Sequence, residues 1–250
     1  MFAPADQSKL PVVLLIDDDL VSREVTATVL TMSGYTVHTA DSGAASFEVL
    51  ASGKCKPGVI LMDAQMPGLS GIDLIAELRA RCKAKIYVVS GSNPPSEVTA
   101  ASDGFLIKPF TPDALQKLIN GHLSEGDPSL LDPNDPVVSN EVLAQFRKLM
   151  PETAVRQIYT AVVADLSHRI EALSAAIAKG DAAEIHRIGH AIKGGCGMAG
   201  ALQAAHLGAL LEAAPVDLQD NQLDNSQTLL RDLRTAARGL ERMLDSELPA

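Results

Sequence analysis

The sequence has no tryptophan, and aromatic residues make up only 3% of its 250 positions. A surface that stacks nucleobases on exposed rings is therefore not expected. Cysteine is as scarce. Cys55, Cys82 and Cys196 are odd in number and without paired spacing, which excludes a disulfide framework or zinc site and fits a reducing, cytoplasmic setting. Long apolar runs are missing too. The run near the start, Pro11 to Ile16, is too short to span a membrane and lacks the basic flank of a signal peptide, so no membrane insertion is expected. Nor is there an excess of positive charge. The formal net charge of −10 divides into −3 over residues 1–123, −4 over 124–136 and −3 over 137–250, which leaves no basic footprint for nucleic acid.

What the sequence does have is 46% hydrophobic and 21% charged residues, enough to bury two cores in a chain of this length. Met1 fits the start of a complete chain. Residues 124–136 hold three prolines and four carboxylates, which reads as an acidic, semi-extended linker between a domain at 9–123 and another at 137–247. Before the linker, short Val- and Ile-rich runs (Val12–Ile16, Tyr35–His38, Val59–Met62, Ile86–Val89 and Phe105–Ile107) alternate with helical patterns. Five such strands predict an α/β domain with a parallel sheet buried on both faces. After it only helical stripes remain: Ile158, Val162, Leu166, Ile170, Leu173 and Ile177, then Ile185, Ile188 and Ile192, then Leu229, Leu233 and Leu240. Amphipathic helices joined by short turns predict an all-α bundle.

In an open parallel sheet, functional groups collect at the carboxyl ends of the strands. Asp17, Asp18 and Asp19 follow the first strand, Asp63 the third, Ser90 the fourth and Lys108 the fifth. Converging carboxylates repel one another unless a cation sits among them, and an all-oxygen set suits Mg²⁺. Such a cluster with a hydroxyl and a lysine suits phosphoryl transfer, in which one carboxylate could be the nucleophile. Asp19 reads more simply as a capping carboxylate at a helix start.

The segments Leu14-Leu-Ile-Asp-Asp-Asp19, Leu61-Met-Asp-Ala-Gln-Met-Pro-Gly68 with Gly71, Val88-Val-Ser90 and Phe105-Leu-Ile-Lys-Pro-Phe110 together resemble the receiver domain of two-component response regulators. The resemblance implies a flavodoxin-like five-stranded fold, with Asp63 as phosphoacceptor. It implies that Asp18, helped by Asp17, binds Mg²⁺ together with Asp63 and the backbone carbonyl of Gln65. By the same resemblance Ser90 hydrogen-bonds the phosphoryl group, Lys108 pairs with it, and Lys108-Pro109 is a cis peptide. Phe105 would be the aromatic that changes rotamer, although it is equally readable as core. Asn93-Pro-Pro95 departs from the pattern and leaves at most Ser96 to Ser102 for the fourth helix.

In the helical half, assigning 100° per residue over Asp181 to Met198 puts Ile185, Ile188 and Ile192 on one side. His186, His190, Lys193 and Gly197 fall together at the border of the exposed face. Gly189, Gly194, Gly195 and Gly197 lie in the same helix although each costs ~0.5 to 1 kcal/mol there, which suggests a face that another protein approaches closely, around Gly194 and Gly197. An exposed imidazole with a lysine one turn away is a fit phosphoryl carrier.

The segment His190-Ala-Ile-Lys-Gly-Gly-Cys-Gly-Met-Ala-Gly200 resembles the signature of histidine phosphotransfer (HPt) domains. This implies a four-helix bundle with His190 phosphorylated and Lys193 as its helper. Gly195 and Cys196 depart from the family's usual serine. Cys196 reads as a small packing residue. His186 and His190 as a metal pair lack a third ligand. His38, His122, His168 and His206 belong to no constellation.

The expectation is a cytoplasmic phosphorelay protein, not an enzyme beyond a receiver's assistance to its own phosphorylation and dephosphorylation. Asp63 would take phosphoryl from a partner histidine kinase, and His190 would carry it to or from a receiver aspartate, with another response regulator as a further candidate partner. No glycine-rich nucleotide loop supplies phosphohistidine from ATP, and no helix-turn-helix offers direct DNA binding. The alternative is a regulatory module in which phosphorylated Asp63 gates the HPt half or a partner, or a phosphate sink.

Overall fold

The computed structural model describes residues 10–69, 71–91, 94–121, 136–213 and 220–248. The expected linker, apart from Pro136, and His122 lie outside the described residues. The first half alternates β1 (Val12–Ile16), α1 (Leu20–Met32), β2 (Thr36–Ala40), α2 (Gly43–Ala51), β3 (Val59–Asp63), α3 (Gly71–Arg81), β4 (Lys85–Ser90), α4 (Ser96–Ala101), β5 (Phe105–Ile107) and α5 (Pro112–Ile119). All strands are parallel, in the order β2-β1-β3-β4-β5.

The strands form because successive side chains can be buried on opposite faces. Leu14, Ile16, Ile60, Met62, Ile86 and Val88 face one core with Leu74, Ile75 and Leu78 of α3. Val13, Leu15, Val59, Leu61, Tyr87 and Val89 face the other with Leu115 and Leu118 of α5. β2 begins one residue later than its apolar run suggests. Gly34, with φ +95°, ends α1 in a Schellman turn, and the Tyr35 amide is spent on Leu30 O at 3.0 Å rather than on the sheet. β3 and β4 run one residue further than their apolar stretches, so Asp63 and Ser90 are themselves the last residues of their strands. The fourth helix is as short as Pro94-Pro95 requires.

The second half contains α6 (Asn140–Leu149), α7 (Glu152–Lys179), α8 (Ala182–Met198), α9 (Leu202–Glu212) and α10 (Asp220–Glu247). The last four pack in succession, α7 on α8, α8 on α9, α9 on α10 and α10 back on α7, with α6 beside α7. The isoleucine and leucine stripes line the core, and the buried Tyr159 hydroxyl donates to Ala199 O at 2.8 Å.

The two halves are not independent bodies. Val21, Val25 and Val29 on the outer face of α1 are buried in the core of the bundle rather than in either core of the sheet. Arg169 of α7 pairs with Asp19 and with Asp165. Burying each valine contributes about 1.5 kcal/mol, against well under 1 kcal/mol for an ordinary surface ion pair. The valine face therefore supplies most of the docking energy, and the ion pair chiefly fixes orientation.

Candidate functional site

At the sheet's carboxyl edge, Lys108 Nζ donates to Asp63 Oδ2 at 2.5 Å and to Asp17 Oδ2 at 2.8 Å, all three side chains being buried. Asp17 also accepts from Ser22 Oγ at 2.7 Å and from the Asp19 amide at 2.9 Å, and Asp63 Oδ1 accepts from the Gln65 amide at 2.8 Å. Burial alone would lower the Lys108 pKa, but the Asp63 and Asp17 carboxylates override it and hold the ammonium charged well above its ordinary range. The Asp17 carboxyl is pushed up by burial and by Asp63, against the pull of Lys108. Shielding from solvent, then Asp63 and Asp17, does the same to Asp18 at the rim. Three carboxylates thus face one ammonium, an excess of negative charge that calls for a further cation. In the arrangement seen, Lys108 bridges Asp17 and Asp63, and among the described residues no three ligating side chains close on a metal site.

Ser90, buried at the end of β4, accepts the Lys108 amide on its carbonyl at 2.7 Å, and Lys108-Pro109 is cis. Phe105 opens β5 half-buried against the core that contains Val88. Asp19 caps α1, accepting from the Ser22 amide at 2.8 Å, as its position suggests. Its pairing with Arg169 across the two halves has no counterpart in the sequence reading.

In α8, His190 and Lys193 share one partner that sequence reasoning missed. Glu212, at the end of α9, lies 2.7 Å from His190 Nδ1 through Oε1 and accepts from Lys193 Nζ at 2.8 Å through Oε2. Burial would raise the Glu212 pKa, but the bonds from His190 and Lys193 hold its carboxyl down at about 2. An ionised carboxylate can only accept, so Nδ1 carries a proton, and in the neutral ring the lone pair is then on Nε2. A signal was available: Glu212 is the one acidic residue in the eleven of α9.

The helical projection puts His190 at the border of the exposed face, and the imidazole is only 16% exposed, between Glu212 and the first half, rather than the exposed ring expected of a phosphoryl carrier. The glycines also divide into two groups. A Cβ at Gly189 would lie 2.7 Å from the Glu212 amide nitrogen, and one at Gly208 would lie 2.6 Å from the Lys193 nitrogen, so these two bring α9 close enough for Glu212 to reach His190. A Cβ at Gly194 would meet Lys108 Cδ at 3.8 Å, one at Gly195 Asp19 Oδ1 at 3.3 Å, and one at Gly197 Pro109 Cδ at 3.8 Å, so these face the sheet edge. Cys196 is buried, its thiol pushed up to about 12 by that burial, which suits packing and not reactivity. Among the described residues His186 belongs to no group of three ligating side chains that could hold a metal.

Between the two sets lies a cavity of about 540 Å³, with Asp18, Gln65 and Lys108 on one wall and Arg169, Arg187 and His190 on the other. Lys108, which bridges the Asp63 and Asp17 carboxylates, and the His190 imidazole thus line a shared space.

Comparison with known proteins assigns both halves. A family model of the response regulator receiver domain matches residues 13–120, and one of the Hpt domain matches residues 157–246. A two-component response regulator of Oryza sativa subsp. indica, ORR3, is 32% identical over 117 residues, 44% of this chain and 88% of that protein. The sensor histidine kinase AruS of Pseudomonas aeruginosa is 26% identical over 219 residues, 82% of this chain but 21% of the kinase. Among solved structures, the chemotaxis response regulator CheY4 of Vibrio cholerae aligns at 26% identity and TM-score 0.40, covering 46% of this chain and 99% of that one. The response regulator TrrA of Thermotoga maritima, solved with Mg²⁺ and BeF, aligns at 27% and 0.40, covering 46% and 100%. The chain belongs to the two-component response regulators, as a receiver domain followed by an Hpt domain, and its role is phosphorelay signalling.

Proposed function

We propose that Asp63 accepts a phosphoryl group from the phosphohistidine of a separate histidine kinase and that His190 carries phosphoryl to or from a receiver aspartate. The observation that carries this reading is the pair of charge arrangements at the cavity. Lys108 donates to the Asp63 carboxylate at 2.5 Å, and Glu212, bonded to Nδ1 of His190, leaves Nε2 as the nitrogen able to attack phosphorus in the neutral ring.

In the acceptor step, an Asp63 oxygen attacks phosphorus as the donor nitrogen departs, with Lys108 and the Ser90 hydroxyl placed at the strand ends to meet the phosphoryl oxygens. The donor set fits Mg²⁺: Asp17, Asp18 and Asp63 with the Gln65 carbonyl are hard oxygens carrying more negative charge than Lys108 offsets. Bound there, the ion would supply neutralisation of the phosphoryl charge. In the carrier step, Lys193 stands one turn from His190 to pair with its phosphate. Phe105 is the candidate aromatic for a rotamer change on phosphorylation.

The test is to label the full chain and its Asp63→Asn and His190→Gln variants with phosphorylated histidine kinases. Label should enter wild type and leave Asp63→Asn without phosphoaspartate; retention of that label in Asp63→Asn would overturn the assignment. The packing of α1 on the bundle also favours a second reading, in which phosphorylation of Asp63 gates the HPt domain.

A further inference from the structure

The HPt domain is seated on its own receiver. Helix α8 crosses the sheet edge so closely that a Cβ at Gly91 would sit 3.4 Å from Lys193 Cε, while Gly194, Gly195 and Gly197 face Lys108, Asp19 and Pro109. Val21, Val25 and Val29 of α1 are buried in the bundle, and Arg169, His186 and Arg187 bring cationic or protonatable groups to the wall opposite Asp18 and Asp19. The cavity left between them, about 540 Å³, has room for a phosphoryl group. A helix about 10 Å across, bearing a histidine from another molecule, would have to displace α8 to enter.

From this we infer that Asp63 and His190 are an intramolecular relay pair: the docked bundle is the receiver's resident partner, and docking closes Asp63 to the histidines of other molecules. The inference rests on the roles proposed above for the two residues. Exchange with outside partners then takes place from the undocked form. In the docked form, the Nε2 lone pair of His190 attacks phosphorus, the N–P bond forms, and the Asp63 O–P bond breaks with its electron pair returning to the carboxylate. The Nδ1 proton stays in its bond to Glu212, whose charge balances the phosphoimidazole. The reverse transfer uses the same atoms, so no other reactant is needed.

The experiment uses full chains and acetyl phosphate with Mg²⁺, a donor small enough to enter the cavity, with phosphoaspartate and phosphohistidine told apart by their lability to base and to acid. In wild type, label should move from Asp63 to His190 at a first-order rate independent of protein concentration. In a mixture of His190→Gln and Asp63→Asn chains, the same transfer must occur between molecules. At about 10 µM protein it should be roughly 100-fold slower, given an effective concentration of about 1 mM within one chain. Val25→Asp, which alters the bundle-facing side of α1 and neither core of the sheet, should slow internal transfer about tenfold or more and raise the radius of gyration, with acetyl phosphate labelling of Asp63 unchanged. Transfer in the mixture as fast as in wild type would overturn the inference while leaving both residue roles intact. Absence of label on Asp63 in the His190→Gln chain would overturn the acceptor role, and the inference with it.

Discussion

Glu212 holds the Nδ1-protonated form of His190 through its contact at 2.7 Å. Glu212→Ala is expected to slow phosphorylation of His190 by about tenfold or more, because Nδ1 loses its acceptor and either nitrogen can then carry the proton. Nitrogen-15 NMR should show the Nδ1-protonated population falling, with Glu212→Gln restoring part of it; an unchanged tautomer ratio would refute the role. The depressed carboxyl also makes a statement about acid stability. Its value of about 2 lies below the ordinary 4.5, so its contribution is fully present above pH 4.5 and is lost as pH falls from 4.5 toward 2. That contribution is on the order of 2 kcal/mol after allowance for partial exposure. Acid unfolding of Glu212→Gln should therefore show a flatter pH dependence through this window than wild type. On the receiver side, Asp18→Ala should abolish labelling of Asp63 by a small phosphodonor while leaving the fold intact, since Asp18 is an exposed residue at the cavity rim. Full labelling of wild type in excess chelator would refute the need for Mg²⁺. These residues were legible in different degrees. Asp17, Asp63, Ser90 and Lys108 declare themselves by following short apolar runs, whereas Arg169 reads as half of an ordinary i, i+4 pair with Asp165 until the halves are seen together.

At the scale of elements, the strands and most helices were readable because period and punctuation agree: β1 and β5 coincide with their apolar runs, and Pro94-Pro95 limits α4. The glycines of α8 were readable only as a group. Composition marks a close approach but not which neighbour approaches, and two neighbours share them. Substitutions distinguish the two. Gly189→Ala places a methyl 2.7 Å from backbone and side-chain atoms of α9 and is expected to cost about 1 to 3 kcal/mol, seen as a lowered melting temperature of the bundle. Gly194→Ala meets only the Lys108 side chain at ordinary distance and should be neutral or stabilising by up to about 1 kcal/mol. Gly194→Leu extends that contact into the receiver. It should keep its helical content and the labelling of Asp63, yet lose transfer through His190. Normal relay by Gly194→Leu would mean that this face does not meet a receiver.

At the scale of the whole molecule, the sequence shows two cores of different class but not their union, because the valines of α1 obey the same helical period whether they face solvent or a second domain. The strength of that union follows from its parts. Three buried valines and an ion pair give about 5 kcal/mol of attraction, which before any association entropy is charged against it corresponds to a Kd of about 0.1 mM at the tightest. Within one chain at an effective concentration of about 1 mM, such an interface is closed at most roughly ten times as often as open. Cut apart, it should not persist at low concentration. Limited proteolysis is expected to cleave first within residues 124–136, whose prolines and carboxylates offer little to bury, and to release two folded pieces. At about 10 µM these should elute separately by gel filtration, while the uncut chain remains compact by X-ray scattering. First cuts inside either domain would place the boundary elsewhere. Pieces that stay together at 10 µM would show an interface at least tenfold stronger than its visible contacts supply, and the outward exchange of phosphoryl would then require a ligand or a phosphorylation event to pry α8 from the receiver.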